Sequence, residues 1–168
     1  EKMADFFRYN VKKGQEDATL GEELEAVDNY IYILNVRFAG DIHFNKDVDE
    51  SLENVRVPSM ILQPVVENAV NHGIRDIEWE GKIHLTVTGD ADYIRISVKD
   101  NGKGMTPEQI ESVLSGNKEH CNEQSDSTGI GMNNVISRLE LYYEEPGLVE
   151  INSDGENKGT EVVIYIPV

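Results

Sequence analysis

Cysteine is nearly absent from this sequence, because Cys121 is the only one in 168 residues. A single cysteine cannot form an internal disulfide, which excludes a small disulfide-stapled fold and is typical of a reducing compartment. Cys121 lies in a polar stretch, and we assign it no role.

Long apolar runs and basic clusters are also missing. No segment approaches the apolar length of a membrane span, and no signal-peptide pattern opens the sequence. Fifteen Lys and Arg residues stand against 32 Asp and Glu residues, a formal net charge of −17. Such a surface repels nucleic acid and anionic lipid, so we expect no nucleic-acid partner. An anionic ligand would need local backbone dipoles or a metal ion to hold it.

The composition that remains, 39% hydrophobic and 28% charged, is that of a soluble globular chain with room for one full-sized domain. Apolar spacing predicts a helix over residues 1–13. After a polar break, Thr19 and Glu22 have the spacing of a capping box and predict a second helix that ends near Arg37.

Strands and helices are then predicted to alternate. Residues 82–88 and 94–98 alternate apolar and polar side chains around a Gly-Asp turn and predict a hairpin. Residues 115–127 lack periodicity and predict a mobile loop. Further strands are predicted at 41–48, 148–152 and 161–166, and helices at 59–74, 107–114 and 130–143. This order predicts an α+β fold, a two-layer sandwich in which helices cover one mixed, largely antiparallel sheet.

The predicted helix over 59–74 carries Asn68, Asn71 and His72 at spacings of three and four residues, which places them on one face. An amide oxygen of Asn68 suits Mg²⁺, and the other two side chains could donate to phosphates. A solvated polar stripe would have the same pattern.

A second segment, DNGKGM at residues 100–105, directly follows a predicted strand. Gly102 and Gly104 permit close backbone approach, and the carboxylate of Asp100 can accept the exocyclic amino group of a purine. An ordinary strand-to-helix turn would also contain these residues.

A third segment, residues 128–132, places Gly129 and Gly131 where we expect a helix to begin. Free N–H groups at a helix N-terminus attract phosphate, although a simple hinge would also use glycine. At the C-terminus, Thr160 lies on a predicted strand that could support a purine. The four segments together offer contacts for metal, base and phosphate.

In this order the segments resemble the N, G1 and G2 boxes and the terminal Gly-Thr strand of the GHKL ATPase superfamily, which has the Bergerat fold. That superfamily includes gyrase, heat-shock protein 90, MutL and the histidine kinases. LQPVVENAVNHGI and GIGMNNVISRL are similar to the LytS/YehU-type sensor kinases. The resemblance implies that residues 19–168 are a catalytic ATP-binding domain, and that 1–18 are the tail of a dimerisation helix with its linker.

The resemblance also implies a site for ATP and Mg²⁺. Asn68 would be the Mg²⁺ ligand, Asp100 would read adenine with help from Thr160, and Gly129 and Gly131 would form the hinge of a lid over the phosphates. The full set of expected nucleotide-binding residues is Asn68, Asn71, His72, Asp100, Gly102, Gly104, Met105, Thr128, Gly129, Ile130, Gly131, Met132 and Thr160.

The phospho-acceptor motif of the family, QxNPHFLFN, has no counterpart here, so we expect the acceptor histidine to lie outside these residues. The implied function is transfer of the ATP γ-phosphoryl group to that histidine for relay to a response regulator receiver domain. The implied setting is a homodimeric, membrane-anchored bacterial kinase whose cytoplasmic part includes this domain.

Two alternatives remain at this point. One is a gyrase-type or heat-shock-type ATP hydrolase, which needs a carboxylate four residues before Asn68, where this sequence has Pro64. The other is a nucleotide-binding module without catalytic activity. Glu67, next to Asn68, is a weak candidate for a catalytic base because adjacent helical residues point about 100° apart.

Overall fold

The computed structural model describes residues 17–37, 42–75, 77–115 and 126–168, with only the backbone of 126–130. The helix predicted over 1–13 and most of the loop predicted over 115–127 lie outside these residues. The elements are β1 (Asp17–Thr19), α1 (Leu20–Arg37), β2 (Ile42–Val48), β3 (Arg56–Pro58), α2 (Leu62–Asn68, continued by a π-helical turn, Ala69–Ile74), β4 (Gly81–Gly89), β5 (Tyr93–Asp100), α3 (Pro107–Ser115), α4 (Asp126–Tyr143), β6 (Val149–Asn152) and β7 (Thr160–Pro167).

One five-stranded sheet, in the order β2-β4-β5-β7-β6, forms one layer. Strand β2 runs parallel to β4, and the other neighbours are antiparallel, including the predicted β4–β5 hairpin. The two short strands β1 and β3 pair separately. The predicted mixed, largely antiparallel sheet is confirmed.

The hydrophobic core lies between this sheet and the helices. Alternate residues of β4 are buried, as expected for a strand with one face against a helical layer. The sheet and the helices contribute to one cluster, whose buried members include Ile83, Leu85, Ile96 and Ile164 from strands and Leu62, Val66, Val135 and Leu139 from helices. The predicted two-layer α+β sandwich is therefore confirmed.

Helix α1 begins where the capping box predicts. The backbone N–H of Glu22 donates to the Thr19 hydroxyl over 3.1 Å, and the Thr19 N–H donates to the Glu22 carboxylate over 3.2 Å. Both partners satisfy N–H groups that a helix start leaves without helical acceptors.

Two predicted helix starts are wrong. Helix α2 begins at Leu62 rather than at residue 59, with Pro64 in its first turn, where a missing N–H costs nothing. Helix α4 begins at Asp126 rather than at Ile130. Two glycines weaken a helix by only about 1 kcal/mol each, and packing of one face into a core offsets that cost.

In the part of the chain that the structure describes, every helix is too short or too polar to cross a bilayer.

Candidate active site

Asp100 ends β5 and is the centre of the site. The residue is only 6% exposed, and one carboxylate oxygen accepts the N–H of Gly102 over 2.8 Å. Burial raises the pKa of Asp100 to about 6, and the backbone N–H groups of Gly102 and Thr160 oppose this rise. At neutral pH the carboxylate is therefore mostly ionised and is a buried hydrogen-bond acceptor. Thr160 lies opposite Asp100 in the β5–β7 pair, as a supporting role requires.

Gly73, in the π-helical turn of α2, lies against the Asp100 carboxylate. A Cβ atom at this glycine would be 2.8 Å from both Cγ and Oδ1 of Asp100. Any side chain here would displace the carboxylate, so Gly73 is a packing requirement of the candidate site that sequence reasoning missed. Its only sequence signal was its place directly after His72 at the end of the polar helix.

The loop after β5 packs on the same turn. The N–H of Lys103 donates to the carbonyl of Gly73 over 2.9 Å, and a Cβ at Gly102 would overlap that carbonyl group. Gly104 has a φ of +74°, a conformation that favours glycine. Glycine is thus required at both predicted positions by backbone packing.

The β6–β7 connection supports this loop from its other side. The hydroxyl of Ser153 accepts the N–H of Met105 over 3.0 Å and donates to the carbonyl of Gly159 over 2.6 Å. Asn157 donates its N–H to the Lys103 carbonyl over 2.7 Å. Ser153 was also missed, because a serine in a polar turn has no distinctive sequence signal.

The three polar residues of α2 differ in their surroundings. Asn68 and His72 are half-buried, whereas Asn71 is exposed. Burial and the nearby charge of Lys103 lower the pKa of His72, which favours the neutral imidazole. The expectation of one shared face assumed α-helical spacing, and the π-helical turn over Ala69–Ile74 makes that assumption wrong beyond Asn68.

The glycines of α4 lie within the helix instead of at its N-terminus, because α4 begins at Asp126. The expectation that the helix begins at Gly129 and Gly131, and leaves their N–H groups free, is therefore wrong. Met132 is 0% exposed and packs in the core, so its side chain offers no surface to a nucleotide. For Thr128, Gly129 and Ile130 the structure describes only helical backbone, and their nucleotide contacts stay predictions.

With this geometry in view, the comparisons with known proteins identify the family. The family model described as histidine kinase-, DNA gyrase B-, and HSP90-like ATPase matches residues 56–168. The chain belongs to this ATPase family. A second model, described as histidine kinase, matches residues 1–42 and so includes α1.

Curated relatives point to the histidine-kinase members of the family. The chain is 33% identical over 166 residues to sensor histidine kinase YpdA of Escherichia coli, and 29% identical over 167 residues to sensor histidine kinase YesM of Bacillus subtilis. These alignments cover 98% and 99% of this chain. The chain spans only 27% of the length of each relative. Nearly the whole chain, including its ATPase-family region at 56–168, is thus similar to part of these sensor histidine kinases.

Solved structures share the fold of this ATPase domain. The catalytic domain of histidine kinase ThkA superposes with a TM-score of 0.62 at 22% identity, covering 91% of this chain and 98% of that one. Mycobacterial sensor histidine kinase MprB gives a TM-score of 0.64 at 17% identity, covering 90% and 96%. The Bergerat-type fold implied by the sequence is confirmed.

Glu67 of the ATPase domain has a hydrogen bond within α2 and a charge effect on α1. Its carboxylate accepts the Gln63 amide over 2.9 Å. Burial raises the pKa of Tyr30 on α1, and the charge of Glu67 raises it further. These contacts fit a role at the flank of α2 and give no support to Glu67 as a catalytic base.

Metal binding in the ATPase domain would depend on few protein ligands. Across the described ranges, no three or more His, Cys, Asp or Glu side chains cluster as a metal site. Mg²⁺ commonly takes one or two protein oxygens and completes its shell with phosphate and water. The half-buried amide of Asn68 fits that pattern and stays the predicted ligand.

Proposed function

We propose that this domain binds ATP with Mg²⁺ against α2, the loop at 100–105 and the start of α4. In this proposal it is the catalytic domain of a two-component sensor kinase. The main support for the proposal is the buried Asp100 carboxylate. The N–H of Gly102 orients it, and the absence of a side chain at Gly73 leaves space for it. An ionised acceptor in such a frame suits the amino group of adenine.

The reaction we propose is transfer of the γ-phosphoryl group to a histidine nitrogen outside these residues, with ADP as the leaving group. The phosphoryl group then passes to an aspartate of a response regulator receiver domain. Phosphoryl transfer mainly requires positioning and charge neutralisation, and bound Mg²⁺ would supply part of the latter. As in sensor kinases generally, we place the domain in the cytoplasm, within a homodimeric, membrane-anchored protein.

The individual roles we propose are those that the family resemblance implies. Asn68 would bind Mg²⁺, while Asn71 and the neutral His72 would donate to phosphate oxygens. Thr160 would support Asp100 at the adenine. The hinge of the lid would be Gly129 and Gly131, now placed inside α4. A hydrolase of the gyrase type is disfavoured, because Pro64 occupies the position that would need the catalytic carboxylate.

The decisive experiment is a melting and calorimetric series on wild type and Asn68→Ala, with ATP, with and without Mg²⁺. Alanine is the better helix former, so α2 itself should not suffer. If Asn68 binds the metal, ATP affinity with Mg²⁺ should fall toward the metal-free value, and melting without nucleotide should change little. An equal drop in melting temperature with and without Mg·ATP would show that Asn68 has only a structural role.

A labelling experiment separates the kinase from the hydrolase. With γ-labelled ATP, the 168-residue chain should bind nucleotide without acquiring acid-labile label and without steady release of phosphate. Label on any of its own histidines would contradict an external acceptor, and sustained phosphate release would favour the hydrolase.

A further inference from the structure

The start of α2 is capped by a carboxylate from another helix. Ile61, the N-cap residue of α2, forms no side-chain capping bond. The carboxylate of Glu23 on α1 accepts the N–H groups of Ile61 over 2.8 Å and Leu62 over 3.3 Å. Its other oxygen accepts the N–H of Met60 over 3.2 Å. Three consecutive N–H groups thus converge on one side chain of α1.

The backbone at this turn is shaped to receive an anion. Met60 has a φ of 60°, in the left-handed region that a methionine rarely adopts. Alternation of left-handed and right-handed residues makes successive N–H groups point into one concavity. Ile61 and Leu62 are each 0% exposed, so water cannot replace the carboxylate as acceptor. Glu23 itself is 1% exposed.

Helix α4 is attached to the same turn. The guanidinium of Arg138 donates to the carbonyl of Ser59 over 2.6 Å. Although burial raises the pKa of Glu23, the three N–H groups and the charge of Arg138 oppose that rise. Helices α1, α2 and α4 therefore meet at residues 59–62, where Glu23 of α1 and Arg138 of α4 form hydrogen bonds with the backbone.

The contact joins two parts of the chain that match different family models. Helix α1 lies in the histidine kinase match over residues 1–42, whereas α2 and α4 lie in the ATPase match over 56–168. Helix α2 carries Asn68 and Gly73, and α4 carries Gly131.

We propose that Glu23 is a positioning residue of the nucleotide site, which fixes α2 relative to α1 through the turn at 60–62. This inference rests on the proposed ATP site. A displacement of α1 withdraws the carboxylate from three N–H groups, of which those of Ile61 and Leu62 are buried, so the position of α1 sets the nucleotide affinity.

The test compares Glu23→Ala and Glu23→Gln in the whole chain with two controls. Glu25→Ala removes an exposed carboxylate from the same helix. Ile166→Ala weakens β7 where it pairs with Ile94, at the opposite end of that strand pair from Asp100 and Thr160. For each variant we would measure the affinity for Mg·ATP by calorimetry and the melting temperature without nucleotide. We would also measure the hydrogen-exchange rates of the Ile61 and Leu62 amides.

We expect Glu23→Ala to bind Mg·ATP on the order of tenfold more weakly, with faster exchange at 61 and 62. Glu23→Gln should lie between it and wild type, because an amide oxygen still accepts but lacks the charge. Ile166→Ala should melt earlier yet bind within about twofold of wild type, and Glu25→Ala should match wild type. If Glu23→Ala fails to fold, Glu23→Gln gives the same comparison.

The inference is overturned if both Glu23 variants bind as wild type does, or if Ile166→Ala loses as much affinity for the same loss of melting temperature. Wild type that fails to bind Mg·ATP would overturn both this inference and the proposed function. Wild type that binds, with Glu23 variants unaffected, would overturn this inference alone.

Discussion

The two ends of the candidate site are built differently. At the proposed purine end, Asp100 is held by backbone groups, and the loop after it is bonded to α2 on one side and to the β6–β7 connection on the other. At the proposed phosphate end, Asn71 is exposed, and a Cβ added at Gly131 would have no atom of the described residues within 4 Å apart from the backbone of its own helix and its chain neighbours.

The difference indicates which end is preformed. Close backbone packing leaves no room for adjustment around Asp100, because a core relaxes only partly around any added atom. The phosphate end relies on partly exposed side chains, so its contacts depend on the ligand and metal. Substitutions should therefore damage the fold at the purine end and affect ligand binding more selectively at the phosphate end.

The largest effect is expected from Gly102→Ala. Its Cβ would overlap the Gly73 carbonyl, so the loop and α2 must separate. We expect a loss of about 3 kcal/mol or more and a melting temperature lower by on the order of 10 °C, with ATP binding abolished. Melting curves and calorimetry measure both. A variant that melts and binds like wild type would show that the purine end can adjust.

The next effect concerns the charge of Asp100. Asp100→Asn keeps an acceptor for the Gly102 N–H but loses the charge, so ATP affinity should fall about 10- to 100-fold and preference for adenine over guanine should weaken. Melting without nucleotide should not decrease, because burial disfavours the ionised side chain.

Asp90→Asn is the matched control for Asp100→Asn. Asp90 also accepts backbone N–H groups in a turn, those of Asp92 and Tyr93, but it is exposed at the other end of the β4–β5 hairpin. It should leave ATP affinity unchanged. Equal ATP affinity for wild type and Asp100→Asn would show that Asp100 has only a structural role in its turn.

Local signals explain what the sequence could predict. The Thr19–Glu22 capping box and the β4–β5 hairpin were predicted because each depends on residues close in the chain. The position of Asp100 followed from the strand before it and the glycines after it. Each of these features is specified by residues that are close together in the sequence.

Long-range packing explains what the sequence could not predict. The bond from Ile61 to Glu23 spans 38 positions, and nothing in either segment specifies the other. The contact of Gly73 with Asp100 likewise arises only when α2 packs beside the end of β5. The early start of α4 was missed because local propensity counts against Gly129 and Gly131, whereas tertiary packing decides.

A smaller effect is expected from pH. Because the folded pKa of Asp100 is raised to about 6, its neutral form is favoured in the nucleotide-free fold. Its contribution to stability is therefore greatest below its ordinary pKa and is lost as pH rises through about 6. ATP affinity should change in the opposite direction, falling by up to about tenfold between pH 7 and pH 5 as the acceptor loses its charge.

Asp100→Asn provides the control for this pH dependence. Titration of ATP and of other carboxyl groups, including Glu23, is common to both proteins, so the difference between their affinities isolates Asp100. That difference should shrink between pH 7 and pH 5. A constant ratio of affinities over this range would contradict a titrating acceptor at the purine end.

The smallest effect is expected from Gly131→Ala, the counterpart of Gly102→Ala at the other end of the site. Neither glycine is among those with a positive φ, but a Cβ at Gly131 meets no atom of the described residues within 4 Å apart from the backbone of its own helix and its chain neighbours. Alanine inside a helix is favoured over glycine by about 0.5–1 kcal/mol, so the nucleotide-free protein should melt about 1–4 °C higher. If Gly131 is the hinge of a lid, the gain in melting temperature from saturating Mg·ATP should shrink, because a stiffer helix opposes closure while the free protein is stabilised. An unchanged gain would make Gly131 an ordinary helical residue, and a lower melting temperature would contradict the open surroundings that distinguish the phosphate end.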